Sequence, residues 1–373
     1  MGIHEQFGLR RIINASGRMT ALGGSPISAA VADAMAQAGR EHLEMDELQR
    51  AAEKRIATLL GADDAVVTTG AAAGVALMTA ACIVGEDLTR IEQLPDPGDA
   101  PHEILIQVGH LVNFGAPLGQ MIRLGGGQVR TIGATNKVDE RHLTGAIGPN
   151  TAAFLYVQSH HAVQKGMLPL DRCIGICREA GLPVLVDAAA EEDLAAMVHS
   201  GADLITFSGS KAIAGPASGI VAGRGDLVAA CRAQHAGIGR SMKVGKETIV
   251  GLAVALEAYM RRDAAAERDR RRAVVERLLA GFALVPGIVA RRRTDEAGRE
   301  IERAVLTTDP ATARALVRFL QASDPAIFPR LHLIEQGVVA FDPRPITLDE
   351  AEIIVERVRA FFTTRSDSTL HIT

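Results

Sequence analysis

Between about Asp64 and Arg224 the chain alternates short apolar, β-rich runs with segments of helical period. The runs are DAVVTTG, EILIQVG, QVRTIG, TAAFLYVQ, PVLVDAA, DLITFSG and SGIVAGR. Helical patterns separate most of them, among them AAAGVALMTAACIV, VDERHLTGAI, LDRCIGICREAG and the stretch around EEDLAAMVHSG. The runs are continuous rather than alternating, which marks strands covered on both faces. Strands interleaved with helices predict an α/β domain with a mostly parallel seven-stranded sheet flanked by helices. The last two runs are joined by a loop too short for a helical crossover, so one of them is expected to run antiparallel to the rest.

After Arg224 the pattern changes. A long helical tract covers RSMKVGKETIVGLAVALEAYMRRDAAAERDRRRAVVERLLAGFALV. Short strand candidates follow, AVLTTD and GVVAFDP, with helices at PATARALVRFLQ and TLDEAEIIVERVRAFF. This predicts a smaller α+β C-terminal domain. At 373 residues the chain exceeds one ordinary core. The expected division is an N-terminal arm over residues 1–40 that contributes to the small domain and the active site, a large domain over 41–240, and a connecting helix with the small domain over 241–373.

Composition narrows the picture. With 47% hydrophobic and 23% charged residues the chain is globular rather than disordered. A net charge of −4 argues against a nucleic-acid partner, which leaves a basic footprint. The arginine-rich stretches EAYMRRDAAAERDRRRAVVERL and ARRRTDEAGREIERA are interleaved with acids and read as solvated helix and loop faces. Cys173 and Cys177, at i, i+4, have no further thiol or imidazole ligands at short spacing, so core packing is expected and no metal site. Free cysteines and an N-terminus without an apolar signal region are the basis for expecting a cytoplasmic protein.

In open parallel sheets, ligands bind outside the carboxyl ends of the strands. The residues there are Thr69-Gly70-Ala71-Ala72, Gly109-His110, Ser159-His160-His161, Asp187-Ala188-Ala189 and Ser208-Gly209-Ser210-Lys211. Small residues in TTGAAAG expose backbone N–H groups at a helix start, where the helix dipole favours a phosphate; close packing would use the same residues. Asp187 closes a buried strand, a costly place for a carboxylate without a partner, and a protonated pyridine nitrogen would be one. Lys211 sits between small residues at the next strand end, where partial desolvation lowers an amine's pKa and suits it to form a Schiff base.

Phosphate cradle, strand-end Asp and strand-end Lys, in this order, resemble the pyridoxal-phosphate enzymes of the aspartate-aminotransferase fold, fold type I. INASGRMTALGGSPIS, GATNK, GADLITFSGSKAIAGPASGIVAGR and KVGKETIVGLAVALEAY resemble the bacterial selenocysteine synthase group in particular. Within it, QVGHLVNFGA, YVQSHHAVQKGM, LVDAAAEEDL, GIGRSMKVGKE and FDPRP are most similar to ammonia-lyase members that act on a phosphorylated amino-sugar acid. The resemblance implies pyridoxal 5′-phosphate as cofactor, carried by Lys211 as a Schiff base. Asp187 would keep the pyridine nitrogen protonated. Backbone groups of Gly70, Ala71 and Ala72, with Ser208, would bind the phosphate. His110 would stack on the ring. One of His160 and His161 would protonate a leaving hydroxyl or bind substrate. Arg18, Lys137, Lys165, Arg240 and Lys243 are expected to supply two or three anion contacts, and Arg303 is a further candidate for the substrate carboxylate.

The implied reaction is α,β-elimination from a hydroxy-amino acid to a 2-keto acid and ammonia, in a homodimer or higher homo-oligomer with a small-molecule substrate and no membrane. Alternatives on the same residues are transfer on seryl-tRNA, a lyase, racemase or aldolase for another amino acid, and a non-catalytic scaffold. Against the tRNA reading, that family usually carries an extra N-terminal tRNA-binding domain, whereas LRRIINASG begins almost at once.

Overall fold

The computed structural model describes residues 2–159, 162–295 and 301–370. It divides into two compact units, Ser25–Arg261 and a second formed by Met1–Gly24 with Arg262–Thr373. Twelve strands lie among the described residues: β1 Ile12–Ala15, β2 Asp64–Thr68, β3 Glu103–Gln107, β4 Gln128–Ile132, β5 Thr151–Val157, β6 Val184–Asp187, β7 Leu204–Ser208, β8 Gly219–Gly223, β9 Val289–Thr294, β10 Glu302–Thr307, β11 Ala326–Pro329 and β12 Val338–Phe341. Among the described helices none is long and apolar enough to cross a membrane.

The larger unit is built on a seven-stranded sheet in the order β2-β8-β7-β6-β5-β3-β4. All its neighbours pair in parallel except β8, which runs antiparallel to both β2 and β7. This matches the prediction from the short loop between the last two runs. Both faces are covered, because successive residues of one strand enter different cores. Ile104 and Ile106 of β3 pack in one cluster and Leu105 in the other. Each fully buried side chain of this kind stabilises the fold by about 1.5–3 kcal/mol, before conformational entropy is counted.

The Ala-rich run forms the helix Ala71–Val84, buried nearly all round. Gly74 lets it lie directly on β7, since a Cβ there would run into the Thr206 side chain. The helices Ala29–Arg40 and Lys246–Met260 pack on one another, and a Cβ on Gly251 would come within 2.5 Å of Met35. That packing places the unit boundaries at 24/25 and 261/262 rather than at 40/41 and 240/241. Residues 25–40 belong with the sheet, and so does the helix expected to be a connector.

The smaller unit has an antiparallel sheet, β12-β10-β9, and a parallel pair, β1-β11. Its core gathers Val274, Leu278 and Phe282 of the helix Ala264–Phe282, Leu316 and Leu320 of the helix Pro310–Ala322, and Ile354 and Val358 of the helix Leu348–Leu370. The chain's start joins this unit by pairing Ile12 with Ala326.

Arg303, on β10, is only 1% exposed. Its Nε donates to Asp342 at 3.1 Å and its Nη2 to Asp295 at 2.5 Å. Arg344 also donates to Asp342, at 2.8 and 2.9 Å. Burial alone would raise the Asp342 carboxyl, but the Arg344 and Arg303 guanidinium groups outweigh it and hold the group well below the usual range. The expectation that Arg303 binds a substrate carboxylate is thereby corrected, since its guanidinium is committed to two buried acids of its own unit.

Removing one partner of such a network strands a buried charge, at a cost of about 3–5 kcal/mol. The depressed Asp342 pKa contributes stability above its unfolded value of about 3.9, lost as pH falls through the folded value. Arg303→Met is therefore expected to lose about 3–5 kcal/mol in urea unfolding at pH 7, with the gap to the parent narrowing below about pH 4.

Candidate active site

The carboxyl ends of β2, β3, β5, β6 and β7 lie along one edge of the sheet, because these strands run the same way. Asp187 ends β6 there, 8% exposed, its Oδ1 accepting the Ala189 N–H at 3.0 Å. Burial pushes its carboxyl up, while the Ala189 N–H and the charge of Lys211 pull the other way. Upward wins, so the site rewards any further cation brought to this carboxylate.

Lys211 follows the neighbouring strand β7 and is half-buried. Its backbone is tightly fixed. Ser25 donates through Oγ to the Lys211 carbonyl at 2.8 Å and through its N–H to the Ser210 carbonyl at 2.9 Å. Gly209 N–H donates to the Ser218 carbonyl at 2.8 Å, and Gly215 N–H to the Gly209 carbonyl at 2.8 Å. A side chain on Gly209 would collide with Ser218, which is why the loop begins with glycine. Ala214 sits at φ 54° in the left-handed region, a strain of about 1–2 kcal/mol that the surrounding bonds sustain.

Thr68, Gly219 and Ser208 form one row across β2, β8 and β7. A Cβ on Gly219 would lie 2.5 Å from the Gly70 carbonyl carbon and 2.8 Å from the Ala71 nitrogen. Glycine there lets the helix Ala71–Val84 begin directly above the row. Gly74 N–H makes the first helical bond, to Gly70, leaving the N–H groups of Ala71 and Ala72 without intrahelical acceptors. No atom lies within 4 Å of a Cβ built on Gly70, so the helix start faces open space. Ser208 Oγ is 3.4 Å from Ser210 Oγ. This edge can therefore offer an anion backbone N–H groups, a helix dipole and a hydroxyl.

His110 departs from expectation. It is fully buried, with its ring edge-on to Tyr156 at 4.4 Å and 87°. Nδ1 accepts the Val157 N–H at 3.2 Å, which puts the proton on Nε2. Burial pushes the imidazole down to about 4; Gln164, its amide committed to Tyr156 and Val157, opposes this weakly. A neutral ring enclosed against Tyr156 presents no open face, so the expected stacking on a cofactor ring is corrected to a structural role.

His160 and His161 lie outside the described residues. The segment after them is clamped. Gln107, fully buried at the end of β3, accepts the Leu168 N–H at 2.7 Å and donates to the Leu168 carbonyl at 3.0 Å. Val163 N–H donates to the Gly109 carbonyl at 2.9 Å, and a Cβ on Gly109 would be 2.9 Å from Met167 Sδ. Gln107 and Gln164 were not among the expected site residues. The signal for Gln107 was an amide closing the otherwise apolar run ILIQ.

Lys137 and Lys165 come from adjacent loops, linked by the Val138 N–H to Gly166 carbonyl bond at 2.8 Å. Both side chains are exposed, and Lys137 pairs with Asp139 at 3.1 Å. Arg240 and Lys243 are exposed in and just after the turn Ile238–Met242. Arg18 belongs to the other unit.

Truncating Gln107 strands two buried backbone groups, each worth about 1–3 kcal/mol. Gln107→Ala is expected to lower unfolding stability by about 2–4 kcal/mol, and to speed proteolysis within 158–168 before the rest of the larger unit is cut.

Comparison with known proteins places this site in context. A family profile described as SelA, L-seryl-tRNA selenium transferase, matches residues 12–278. A 5′-C-glycyluridine monooxygenase-decarboxylase of a Streptomyces species is 43% identical, over 95% of this chain and 90% of its own. A D-glucosaminate-6-phosphate ammonia lyase of Salmonella typhimurium is 40% identical, over 96% of this chain and 97% of its own. A solved structure of D-glucosaminate-6-phosphate ammonia-lyase superposes with TM-score 0.89 at 38% identity, covering 98% of this chain and 99% of that one. The fold is that of fold type I pyridoxal-phosphate enzymes.

Proposed function

The chain belongs to the SelA, L-seryl-tRNA selenium transferase, family, and from that premise we propose that it is a pyridoxal-phosphate-dependent carbon–nitrogen lyase acting on D-glucosaminate 6-phosphate. The observation that carries the reading is the placement of Asp187 and Lys211. A buried carboxylate with a raised pKa ends one strand, and a half-buried amine coupled to it follows the next. The residues fit pyridoxal phosphate. Asp187 matches a protonated ring nitrogen, Lys211 matches the aldehyde, and the helix start at Gly70–Ala72 with Ser208 matches the phosphate. When bound, the cofactor supplies an electron sink that acidifies the substrate's Cα–H.

The chain's own residues supply the rest. Asp187 would hold the ring nitrogen in its cationic form. Lys211 would hold the cofactor's aldehyde carbon, and its amine is the group placed to take the substrate's Cα proton. Its backbone is fixed by Ser25 at the strand end beside Asp187. Lys137 and Lys165 are the cations this unit offers to an acidic substrate, with Arg240 and Lys243 as further candidates. The net reaction would remove ammonia from D-glucosaminate 6-phosphate and leave 2-keto-3-deoxy-6-phosphogluconate, the water lost with the Cα proton and β-hydroxyl being returned on hydrolysis. The exposed apolar side chains of Ile3, Phe7 and Leu9 support assembly with a second copy.

A second reading comes from the Streptomyces relative, which is at least as similar but carries the name of a monooxygenase-decarboxylase. Product analysis separates the two. With D-glucosaminate 6-phosphate the lyase reading predicts equimolar ammonia and 2-keto acid without oxygen uptake. Oxygen uptake with carbon dioxide release from a glycyl-nucleoside, and no ammonia from the amino-sugar acid, would replace it. Lys211→Ala is expected to lower ammonia release by at least about 10³-fold, and Asp187→Asn by about 10²-fold or more.

A further inference from the structure

The arginine-rich tract of the smaller unit does more than solvate a helix. Arg268, Arg271 and Arg272 lie at i, i+3 and i+4 on the helix Ala264–Phe282, so they share one face. Across from them, Arg292 and Thr294 of β9 point to the same side of the sheet, and Thr294 is paired in register with Glu302 of β10. These side chains line a solvent-open cavity of about 620 Å³, whose apolar part is formed by Val275, Ile301 and Pro343. Among the described residues its wall carries four guanidinium groups and a single carboxylate, Glu302. The volume is that of a small-molecule site.

Among the described residues, several ion pairs around it are long or shared. Arg292 pairs with Glu302 at 2.7 Å and reaches Glu276 at 3.6 Å. Arg271 pairs with Glu267 at 3.0 Å, a carboxylate that also lies 3.8 Å from Arg262. Arg272 is 3.8 Å from Asp269, on an exposed and loosely paired side. The Arg292–Glu302 and Arg272–Asp269 pairs are exposed; such pairs are worth about 0–1 kcal/mol and yield readily to a better acceptor. Guanidinium forks match the oxygens of a phosphate in a way a lysine ammonium does not.

We propose that this cavity binds a phosphomonoester, with Arg268, Arg272 and Arg292 as its ligands and Glu302 as the group it displaces. Phosphate binding here does not need the Lys211 reading, because every residue in it belongs to the smaller unit; only the assignment of the phosphate to the substrate rests on that reading. The phosphate could be borne by the substrate or by a separate metabolite, and the test distinguishes them.

Titration calorimetry on the full chain, saturated with pyridoxal phosphate so that the cofactor's own phosphate site is filled, would use inorganic phosphate and glucose 6-phosphate against chloride at equal ionic strength. The parent protein is expected to bind both probes saturably. The double variant Arg268→Ala/Arg272→Ala should bind at least about tenfold more weakly, and Glu302→Gln at least about threefold more tightly. The Glu302→Gln gain keeps the test decisive should the double variant fold poorly. A raised KM for D-glucosaminate 6-phosphate with kcat kept in the arginine variant assigns the phosphate to the substrate. An unchanged KM beside lost probe binding assigns it to a separate ligand. Equal affinity in parent, Arg268→Ala/Arg272→Ala and Glu302→Gln, or no binding beyond the chloride control, overturns the proposal.

Discussion

The structure of the larger unit turns on one unfavourable placement, a carboxylate at the inner end of a central strand. Asp187 is largely buried, and a backbone N–H and the charge of a neighbouring amine do not fully compensate its desolvation. A fold keeps such a group only where something returns the cost. A bound cationic ring would do so, and the amine whose charge Asp187 feels belongs to a lysine in a loop, Gly209–Lys211, tied by four hydrogen bonds within the same unit. The carboxylate and the amine form one device built across two adjacent strand ends.

The rest of the unit serves that device by removing side chains where backbone must come close. Gly219 admits the start of the buried helix above the strand row, Gly74 seats that helix on β7, and Gly209 closes the lysine loop against Ser218. The strain at Ala214 is tolerated because the loop is over-determined by hydrogen bonds. Beyond the end of β3, the buried Gln107 amide satisfies both the N–H and the carbonyl of Leu168. The result is an edge open to a ligand on a scaffold that has little freedom to move.

Much of this was legible in the sequence, and the reasons are physical. Continuous apolar runs announced strands covered on both faces, and a loop too short for a crossover announced the antiparallel β8. Asp187 and Lys211 stood out because each ends such a run with a charge that water does not reach easily. What escaped was long-range pairing. No local pattern says that Ile12 pairs with Ala326, or that Met35 packs on Gly251, and so the unit boundaries moved. Arg303 read as a ligand because its two carboxylate partners, Asp295 and Asp342, are 8 and 39 residues away in the chain. His110 read as a stacking residue because its enclosure by Tyr156 and the β5 backbone is a tertiary fact. The three helix arginines read as a solvated face until the sheet opposite them supplied Arg292.

The chemistry proposed for this edge depends on where the cofactor attaches. Borohydride reduction of the protein loaded with pyridoxal phosphate, followed by peptide mapping, reads this directly. The predicted result is a single acid-stable pyridoxyl-lysine at Lys211, with no label on an unreduced control that has been acidified. A label on another lysine, or none on the loaded protein, would contradict it.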